Sequence, residues 1–239
     1  MNIALIFAGG VGTRMNTKAK PKQFLELHGK PIIVYTLELF QTHPEIDGIV
    51  IVMVAEWVDI MKELLARYQL TKVVEVVEGG ETGQLSIFNG LKAAEKHFRA
   101  DSTVLIHDGV RPLIDHDIIT ANIKQVQRSG NAITTSPTIE TFVVVDDDMV
   151  VQEVPARKNS RLAKAPQSFV LNNIISIHRN ALQDGITNSI DSCTLMSQYG
   201  HQVTLVEGPV ENIKITTPTD YFMFRAIIES RENSQIFGD

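Results

Sequence analysis

The chain has 239 residues, of which 44% are hydrophobic and 21% charged, and this composition is typical of a soluble α/β protein with one domain. The formal net charge of −6 argues against nucleic-acid or membrane partners that bind through excess positive charge. Cys193 is the single cysteine, so no disulfide can form within the chain and we expect a cytoplasmic protein. We expect neither a signal peptide nor a membrane-spanning helix, because the apolar runs are too short.

The first predicted element is an apolar strand at residues 3–7, which leads directly into a glycine-rich turn. Gly9, Gly10 and Gly12 allow the backbone to turn tightly and bring its N–H groups close to a ligand. The turn is not a dinucleotide-binding loop, because Met15 occupies the place of the third glycine, and it lacks the spacing of a P-loop.

Positive charge accompanies this turn. Arg14 lies within it, and Lys22 follows in the sequence Pro21-Lys22-Gln23. Backbone N–H groups beside two cations suit a polyphosphate. The sequence therefore predicts a nucleotide site at the end of the first strand.

Strands and helices alternate through most of the chain. The predicted strands cover residues 3–7, 49–54, 72–77, 103–107, 132–136, 202–207 and 213–215. The predicted helices cover residues 31–40, 57–68, 85–98, 118–128, 171–183, 189–199 and 221–229. Buried strands separated by helices predict an α/β fold, Rossmann-like, with a mostly parallel sheet and helices on both faces. Because ligands bind beyond the carboxyl ends of such strands, we expect the glycine turn, Gly79-Gly80 and His107-Asp108 to face one crevice.

The alternation breaks at residues 141–154, where two β-branched runs flank Asp146, Asp147 and Asp148. This pattern predicts a β-hairpin arm, residues 138–158, that projects from a single domain formed by residues 1–239. An isolated hairpin is marginally stable in water, so we expect the arm to form a homodimer contact; the alternative is that it folds back on its own domain. The three aspartates predict a solvated turn rather than a metal site, because no fourth ligand lies at a suitable spacing.

The last helix has a distinct capping signal. Thr217 is the predicted N-cap, Pro218 the first helical residue, and Asp220 the acid of a capping box. The polar tail, residues 231–239, is predicted to be frayed.

Three further residues are candidates for the chemistry. Arg157 follows the hairpin, Lys214 alternates with apolar neighbours, and Asp108 ends a strand where it could bind Mg²⁺ directly or through water. The simpler alternatives are a solvated pair of Arg157 with Lys158 and an exposed strand position for Lys214. A glycine loop, several cations and one acid favour phosphoryl or nucleotidyl transfer, which requires in-line positioning and neutralisation of phosphate charge by Lys, Arg and Mg²⁺.

Other polar residues near these candidates are expected to be structural. We expect His107 to be a satisfied histidine at a strand end, and Arg111 to pair with a carboxylate or a loop carbonyl rather than with substrate. Cys193 is expected to act as a small buried hydrophobic residue rather than as a nucleophile.

Six ordered motifs together identify a family. They are AGGVGTRM (residues 8–15), PKQF (21–24), SIFNGL (86–91), HDGVRP (107–112), APQSF (165–169) and NIKIT (212–216). On these motifs the chain resembles, nearly from end to end, the IspD/TarI family of cytidylyltransferases. The resemblance implies a nucleotide-diphospho-sugar transferase fold, with transfer of CMP from CTP to a polyol phosphate, release of pyrophosphate, and a requirement for a divalent cation such as Mg²⁺.

The resemblance also implies roles for the matching positions. The implied nucleotide-binding residues are Ala8, Gly9, Gly10, Gly12, Gly80, Glu81 and Ser86. The implied catalytic cations, which hold the triphosphate and stabilise the transition state at the α-phosphorus, are Arg14, Lys22 and Lys214. The implied acceptor-binding residues are Asp108, Thr141, Arg157 and Asp191, with Asp108 also near the metal. In this family the arm crosses to a second subunit, so Thr141 and Arg157 would reach the acceptor phosphate bound by the partner.

The resemblance leaves two acceptors open. One branch of the family uses 2-C-methyl-erythritol 4-phosphate for isoprenoid synthesis, and the other uses ribitol 5-phosphate for teichoic acid and other surface polymers. Residues 190–193 (IDSC), 56–58 (EWV) and 165–169 (APQSF) are more similar to the ribitol branch, which we favour.

Two departures from the family pattern point to a subfamily with its own acceptor. Gly83 stands where both branches commonly carry an arginine, and Ala165 replaces the threonine of the Thr-Pro-Gln motif. The lost arginine motivates a second hypothesis, a non-catalytic nucleotide-binding module. A third hypothesis is a nucleotidyltransferase that uses UTP or ATP with a sugar phosphate.

Overall fold

The structure is a computed structural model that describes residues 1–9 and 20–237, with side chains through residue 233. Its strands are β1 (Asn2–Ala8), β2 (Glu26–Leu27), β3 (Lys30–Pro31), β4 (Gly48–Met53), β5 (Val73–Glu78), β6 (Thr103–Asp108), β7 (Asn131–Pro137), β8 (Val144–Val145), β9 (Val151–Glu153), β10 (Arg161–Val170) and β11 (Leu205–Glu207). Its α-helices are α1 (Ile32–Thr42), α2 (Val58–Arg67), α3 (Gly83–His97), α4 (His116–Ser129), α5 (Leu171–Gln183), α6 (Ser192–Gln198) and α7 (Pro218–Phe237).

Seven of these strands form one mixed, mostly parallel sheet in the order β11-β7-β10-β6-β1-β4-β5. β1 pairs in parallel with β4 and β6, β4 with β5, and β7 with β11, whereas β10 is antiparallel to both of its neighbours. The predicted α/β fold class is therefore confirmed.

The sheet is covered on both faces, and its central strand β1 is apolar at every position after Asn2. In β1, Ile3 and Leu5 pack into one core with helices α3, α5 and α6, while Ala4 and Ile6 pack into a second core with α1, α2 and α4. All four side chains are fully buried. This alternation on both faces is what a parallel central strand requires.

β10 is the element that the sequence analysis missed. It lies between β6 and β7 in the middle of the sheet. Pro166 lies within it, and its pairing with β7 shifts register between Ala163 and Gln167. A proline argues against a central strand, because it cannot donate a ladder hydrogen bond. The register shift places the proline at an irregularity, where that loss is tolerated.

Two predictions near the C-terminus are wrong. Residues 213–215 do not form a strand; instead the Ile215 N–H donates to the Val110 carbonyl at 3.0 Å. The polar tail is helical through Phe237, and Arg231 Nη2 lies 3.5 Å from the Leu113 carbonyl. Contacts of this kind hold the end of α7 on the domain.

The capping signal of α7 is confirmed. The Asp220 N–H lies 3.3 Å from Thr217 Oγ1, and the Thr217 N–H donates to Asp220 Oδ2 at 2.8 Å. These reciprocal bonds are those of a capping box. They fix the chain just after the segment that carries Lys214.

The predicted arm is a separate two-stranded sheet of β8 and β9, shorter than the predicted hairpin. Its apolar side chains remain exposed in the single chain, among them Ile139, Phe142, Val143, Met149 and Val150. Among the helices that the structure describes, none combines the length and apolar character needed to cross a bilayer.

Candidate active site

The candidate site lies at the sheet edge where the central parallel strands end. Phe7 of β1 is level with Asp108 of β6. Gly9 directly follows β1, and Gly80 follows β5 by two residues. The structure thus places these three segments at one edge of the sheet, where the sequence predicted a crevice.

A cluster of charged side chains surrounds Asp108. Lys214 Nζ lies 2.7 Å from Asp108 Oδ1, and Arg111 Nε donates to Asp108 Oδ2 at 2.8 Å. Arg111 Nη1 also donates to the Asn212 carbonyl at 2.9 Å, and the Asn212 amide donates to the Ala165 carbonyl at 2.7 Å. Arg111 therefore pairs with a carboxylate and a loop carbonyl, as predicted, and ties the segment that carries Lys214 to the end of β6.

The two cations hold Asp108 in its charged form. Burial alone would raise the pKa of the Asp108 carboxyl, but the charges and hydrogen bonds of Lys214 and Arg111 lower it well below its usual range. Burial lowers the pKa of His107 to about 4, so this ring is neutral at neutral pH. His107 Nε2 donates to the Arg111 carbonyl at 3.0 Å, but Nδ1 is buried without a partner among the described residues, so the predicted satisfied histidine is confirmed for one ring nitrogen only.

Gly80 and Ser86 close the loop between β5 and α3. The Gly80 N–H donates to Ser86 Oγ at 3.0 Å, and the Ser86 hydroxyl donates to the Thr82 carbonyl at 2.8 Å. A Cβ on Gly80 would lie 2.6 Å from Leu85 Cβ, so the loop can approach the helix this closely only with glycine. Glu81 is exposed at the tip. The Ser86 hydroxyl holds the loop in shape, and nucleotide contacts by this loop stay a prediction.

The start of the glycine turn lies against the same loop. A Cβ on Gly9 would lie 3.4 Å from Ser86 Oγ. The Gln23 amide donates to the Ala8 carbonyl at 2.9 Å. This bond holds the short 3-10 helix at Lys22–Phe24 against the end of β1. The predicted catalytic lysine, the first residue of that helix, is thereby brought to the candidate site.

A cleft of about 250 Å³ opens beside the charged cluster. Asp108, Arg111 and Lys214 line one part of it, and Gly83 and Asp191 line another. Its volume lies just below the range of roughly 300–1,000 Å³ that is common for drug-sized ligands.

Asp191 is the N-cap of α6. Its Oδ1 accepts from the Thr194 N–H at 2.7 Å, and its Oδ2 accepts from the Gln167 amide at 2.9 Å. Gln167 also accepts from the Cys193 N–H at 2.9 Å. Both carboxylate oxygens of Asp191 thus accept hydrogen bonds from residues of the protein itself. The predicted contact of Asp191 with the acceptor stays a prediction.

Gly83 leaves the mouth of the cleft open. It is the first residue of α3, and a Cβ built on it meets no atom within 4 Å. The arginine that the family resemblance implies at this position would have room here. Its absence removes a cation from the rim without any change in the packing.

The sequence analysis missed three residues that line the cleft, namely Lys164, His178 and Ser192. Lys164 Nζ donates to the Val210 carbonyl at 2.8 Å, and burial lowers its pKa. Lys164 directly precedes the APQSF motif, and this proximity could have marked it as a residue of the site. Ser192 lies in the IDSC segment (residues 190–193), which the sequence analysis used only to compare the two branches of the family. His178 lies in a segment that was assigned only as a helix, and no local pattern marks it.

Thr141 and Arg157 do not line this cleft in the described chain. Thr141 and Arg157 lie together on the arm, where Arg157 Nη2 donates to Thr141 Oγ1 at 3.1 Å. Gly10, Gly12 and Arg14 lie outside the described residues.

Mg²⁺ fits this site only as an ion that arrives with phosphates. No group of three or more His, Cys, Asp or Glu side chains within residues 1–9 and 20–237 could hold a metal. Both oxygens of Asp108 face cations, so direct coordination would require Lys214 or Arg111 to move. Magnesium is commonly bound by one or two carboxylates together with substrate phosphates.

Comparisons with known proteins identify the family and agree with the fold. The chain matches the model of the family IspD, 2-C-methyl-D-erythritol 4-phosphate cytidylyltransferase, over residues 2–230. The ribitol-5-phosphate cytidylyltransferase of Streptococcus agalactiae serotype III is 58% identical over 238 residues, covering 100% of both chains. The 2-C-methyl-D-erythritol 4-phosphate cytidylyltransferase of Clostridium novyi is 39% identical over 230 residues, covering 96% of this chain and 97% of the relative.

A solved structure gives the same result for the fold. The 4-diphosphocytidyl-2C-methyl-D-erythritol synthase of Anaerococcus prevotii superposes with a TM-score of 0.82 at 30% identity, covering 95% of this chain and 96% of that one. With the family match, the full-length relatives and the charged cluster at the carboxyl edge of the sheet, this chain belongs to the IspD family of cytidylyltransferases.

Proposed function

We propose that this cytidylyltransferase transfers CMP from CTP to D-ribitol 5-phosphate, giving CDP-ribitol and pyrophosphate. The observation that carries the choice of acceptor is the 58% identity, over the full length of both chains, with a ribitol-5-phosphate cytidylyltransferase. The relative that uses 2-C-methyl-D-erythritol 4-phosphate is 39% identical. Gly83 does not distinguish the two acceptors, because both branches commonly carry an arginine at this position.

The chemistry requires an oxygen of the acceptor phosphate to attack the α-phosphorus of CTP while the bond to pyrophosphate breaks. Charge accumulates on the phosphate oxygens, and preorganised cations stabilise it. Lys214 is suited to this task because its side chain is 39% exposed, whereas Asp108 and Arg111 are 15% and 13% exposed. We propose that Lys214 turns from Asp108 to the α-phosphate when substrate binds.

Magnesium has a limited part in this proposal. When bound to the triphosphate it would cancel phosphate charge and orient the leaving pyrophosphate. We assign the main role of Asp108 to holding Lys214 and Arg111. A contact of Asp108 with the ion, directly or through water, stays a prediction.

We expect the purified enzyme to release pyrophosphate from CTP and Mg²⁺ with a higher kcat/KM for ribitol 5-phosphate than for 2-C-methyl-erythritol 4-phosphate. The measurement is a coupled pyrophosphate assay with both acceptors and with all four nucleotides in competition. A preference for the methylerythritol acceptor would assign the protein to the other branch. CTP binding without turnover on either acceptor would support the non-catalytic module, and a preference for UTP or ATP would support the third hypothesis.

We also propose that the enzyme is a homodimer in which the arm of each subunit completes the site of the other. The exposed apolar residues of the arm support this proposal, because exposed patches of this kind mark interaction surfaces. A two-stranded sheet is also marginal in water without a partner. Thr141 and Arg157 sit together at the base of the arm, where a cation could face a phosphate bound to the second subunit.

A mixture of two inactive variants tests the exchange of arms. Arg157→Ala and Lys214→Met should each be nearly inactive as homodimers. Subunit exchange should restore about a quarter of the wild-type activity, because about half of the dimers are mixed and each has one intact site of two. A mixed dimer that is verified by differential tagging and remains inactive would show that the arm serves its own subunit. Lys158→Ala, next to the predicted residue, is the control that should stay active.

A further inference from the structure

The floor of the cleft contains buried polar atoms that the protein leaves without partners. His178 is 1% exposed, and neither of its ring nitrogens has a hydrogen bond among the described residues. Ser192 is 2% exposed, and its hydroxyl is also unpaired there. Both residues line the cleft. Leaving a buried polar group unpaired costs about 1–3 kcal/mol, so two such groups in one cavity require an explanation.

The neighbouring polar side chains of the cleft contrast with these two residues. Gln84 donates to the Ile186 carbonyl at 2.7 Å and accepts from the Ser189 N–H at 2.7 Å. Gln167 and Asp191 are satisfied by each other and by backbone N–H groups. Unused hydrogen-bonding capacity therefore remains at His178 and Ser192, and at the charged end of the cleft also at His107, whose Nδ1 is buried without a partner among the described residues.

The part of the cleft at His178 and Ser192, called the floor here, is continuous with the charged end at Asp108. Ile106 and Asp108 lie two residues apart on β6 and so project from the same face, and both line the cleft. α5 begins at Leu171, level with the opposite end of β6, because Val170 pairs with Thr103. His178 lies seven residues after Leu171 on α5, which corresponds to roughly 10 Å along the helix at 1.5 Å per residue. This distance does not reach the end of β6 that carries Asp108.

The chemistry of the floor suits hydroxyl groups. Burial lowers the pKa of His178 to about 4, so its ring is neutral at neutral pH and offers one donor and one acceptor. The Ser192 hydroxyl likewise donates and accepts. Ile87, Ile106 and Leu195 add apolar surface for a carbon chain. Lys214 and Arg111, the cations that suit a phosphate, lie at the other end of the cleft.

We propose that His178 and Ser192 bind the distal hydroxyl groups of the acceptor polyol and so select the length of its carbon chain. The acceptor phosphate faces Lys214, and the polyol extends down β6 to the floor. This inference rests on the proposed function, because it concerns the acceptor of that reaction. It assigns specificity to two residues that carry no part of the transfer step.

The test compares two acceptors that differ by one carbon, ribitol 5-phosphate and erythritol 4-phosphate. His178→Phe removes both ring nitrogens but keeps a flat ring against Phe88, whose centroid lies 6.1 Å away. Ser192→Ala removes only the hydroxyl. Each variant should lose about tenfold in kcat/KM for ribitol 5-phosphate, the value of a hydrogen bond worth about 1.4 kcal/mol, and much less for erythritol 4-phosphate. The KM for CTP should not change.

Controls separate specificity from folding. Ser176→Ala, a variant on the same helix α5, should leave kcat/KM unchanged for both acceptors. The melting temperatures of His178→Phe and Ser192→Ala should not fall, because each removes an unpaired buried group. If His178→Phe does not fold, Ser192→Ala alone decides the question.

Two results would overturn the inference. If the variants lost kcat/KM equally for both acceptors, or lost it for neither, this inference would be refuted while the proposed function stands. A wild-type enzyme without turnover on any polyol phosphate would refute the proposed function and this inference with it.

Discussion

Lys214→Met is expected to lower kcat by about 100- to 1,000-fold, the usual effect of removing one group that stabilises transition-state charge. The affinity for CTP should change much less. Lys214 Nζ is held 2.7 Å from Asp108 before substrate binds, so the lysine reaches the cleft already oriented. A residue that acts mainly in the transition state changes kcat rather than binding.

The measurements are steady-state kinetics and CTP binding by calorimetry. Lys62→Met is the matched control, because Lys62 pairs with Asp59 on the surface and its side chain is 62% exposed. It should behave as the wild type. Equal losses of kcat and CTP affinity in Lys214→Met would indicate uniform binding of the nucleotide and contradict the assigned role.

Asp108→Asn is expected to reduce both activity and stability. The change leaves Lys214 and Arg111 close together without the carboxylate between them. Removing one partner of a buried ion pair costs about 3–5 kcal/mol, and we expect about 3 kcal/mol here because Lys214 is partly solvated. Urea denaturation at neutral pH measures the loss.

The pH dependence of this loss has a defined sign. The pKa of Asp108 is lowered in the folded protein, whereas an aspartate in the unfolded chain titrates at about 3.9. A group with a lowered folded pKa stabilises the protein above its unfolded pKa, and this stability is lost as the pH falls through the folded pKa. The difference between wild type and Asp108→Asn should therefore be complete at neutral pH and shrink below about pH 4.

A surface aspartate provides the comparison. Asp101 pairs with Arg99, with side chains 69% and 77% exposed, and Asp101→Asn should leave the stability nearly unchanged, because solvent screens an exposed ion pair. If Asp108→Asn were as stable as Asp101→Asn, the charged cluster would not contribute to the fold as we describe.

The sequence predicted most of the fold because hydrophobic periodicity is a local signal. α5 runs from Leu171 to Gln183, which are the predicted bounds. The capping box of Thr217 and Asp220 was predicted from residue types alone. β10 was missed because Pro166 contradicts a central strand locally, and only pairing with two distant strands makes it one.

The candidate site was predicted less completely. Asp108, Lys214 and Arg111 stand in recognisable motifs, and the structure brings them together. His178 has no local signature, and Ser192 was seen only as part of the IDSC segment. The significance of both depends on burial and on the absence of a partner among the described residues, which only the tertiary structure reveals.

β10 connects the arm to the cleft, because it leads out of the arm and carries residues of the cleft. β7 leads into the arm and β10 leads out of it, and the two strands pair in antiparallel fashion, so together they form one long hairpin whose tip is the arm. The same β10 carries Ala165, which accepts from Asn212, and Gln167, which holds Asp191. In the homodimer that we propose, a second subunit that binds the arm would therefore also constrain the strand that shapes the cleft, and dimer assembly would be coupled to acceptor binding.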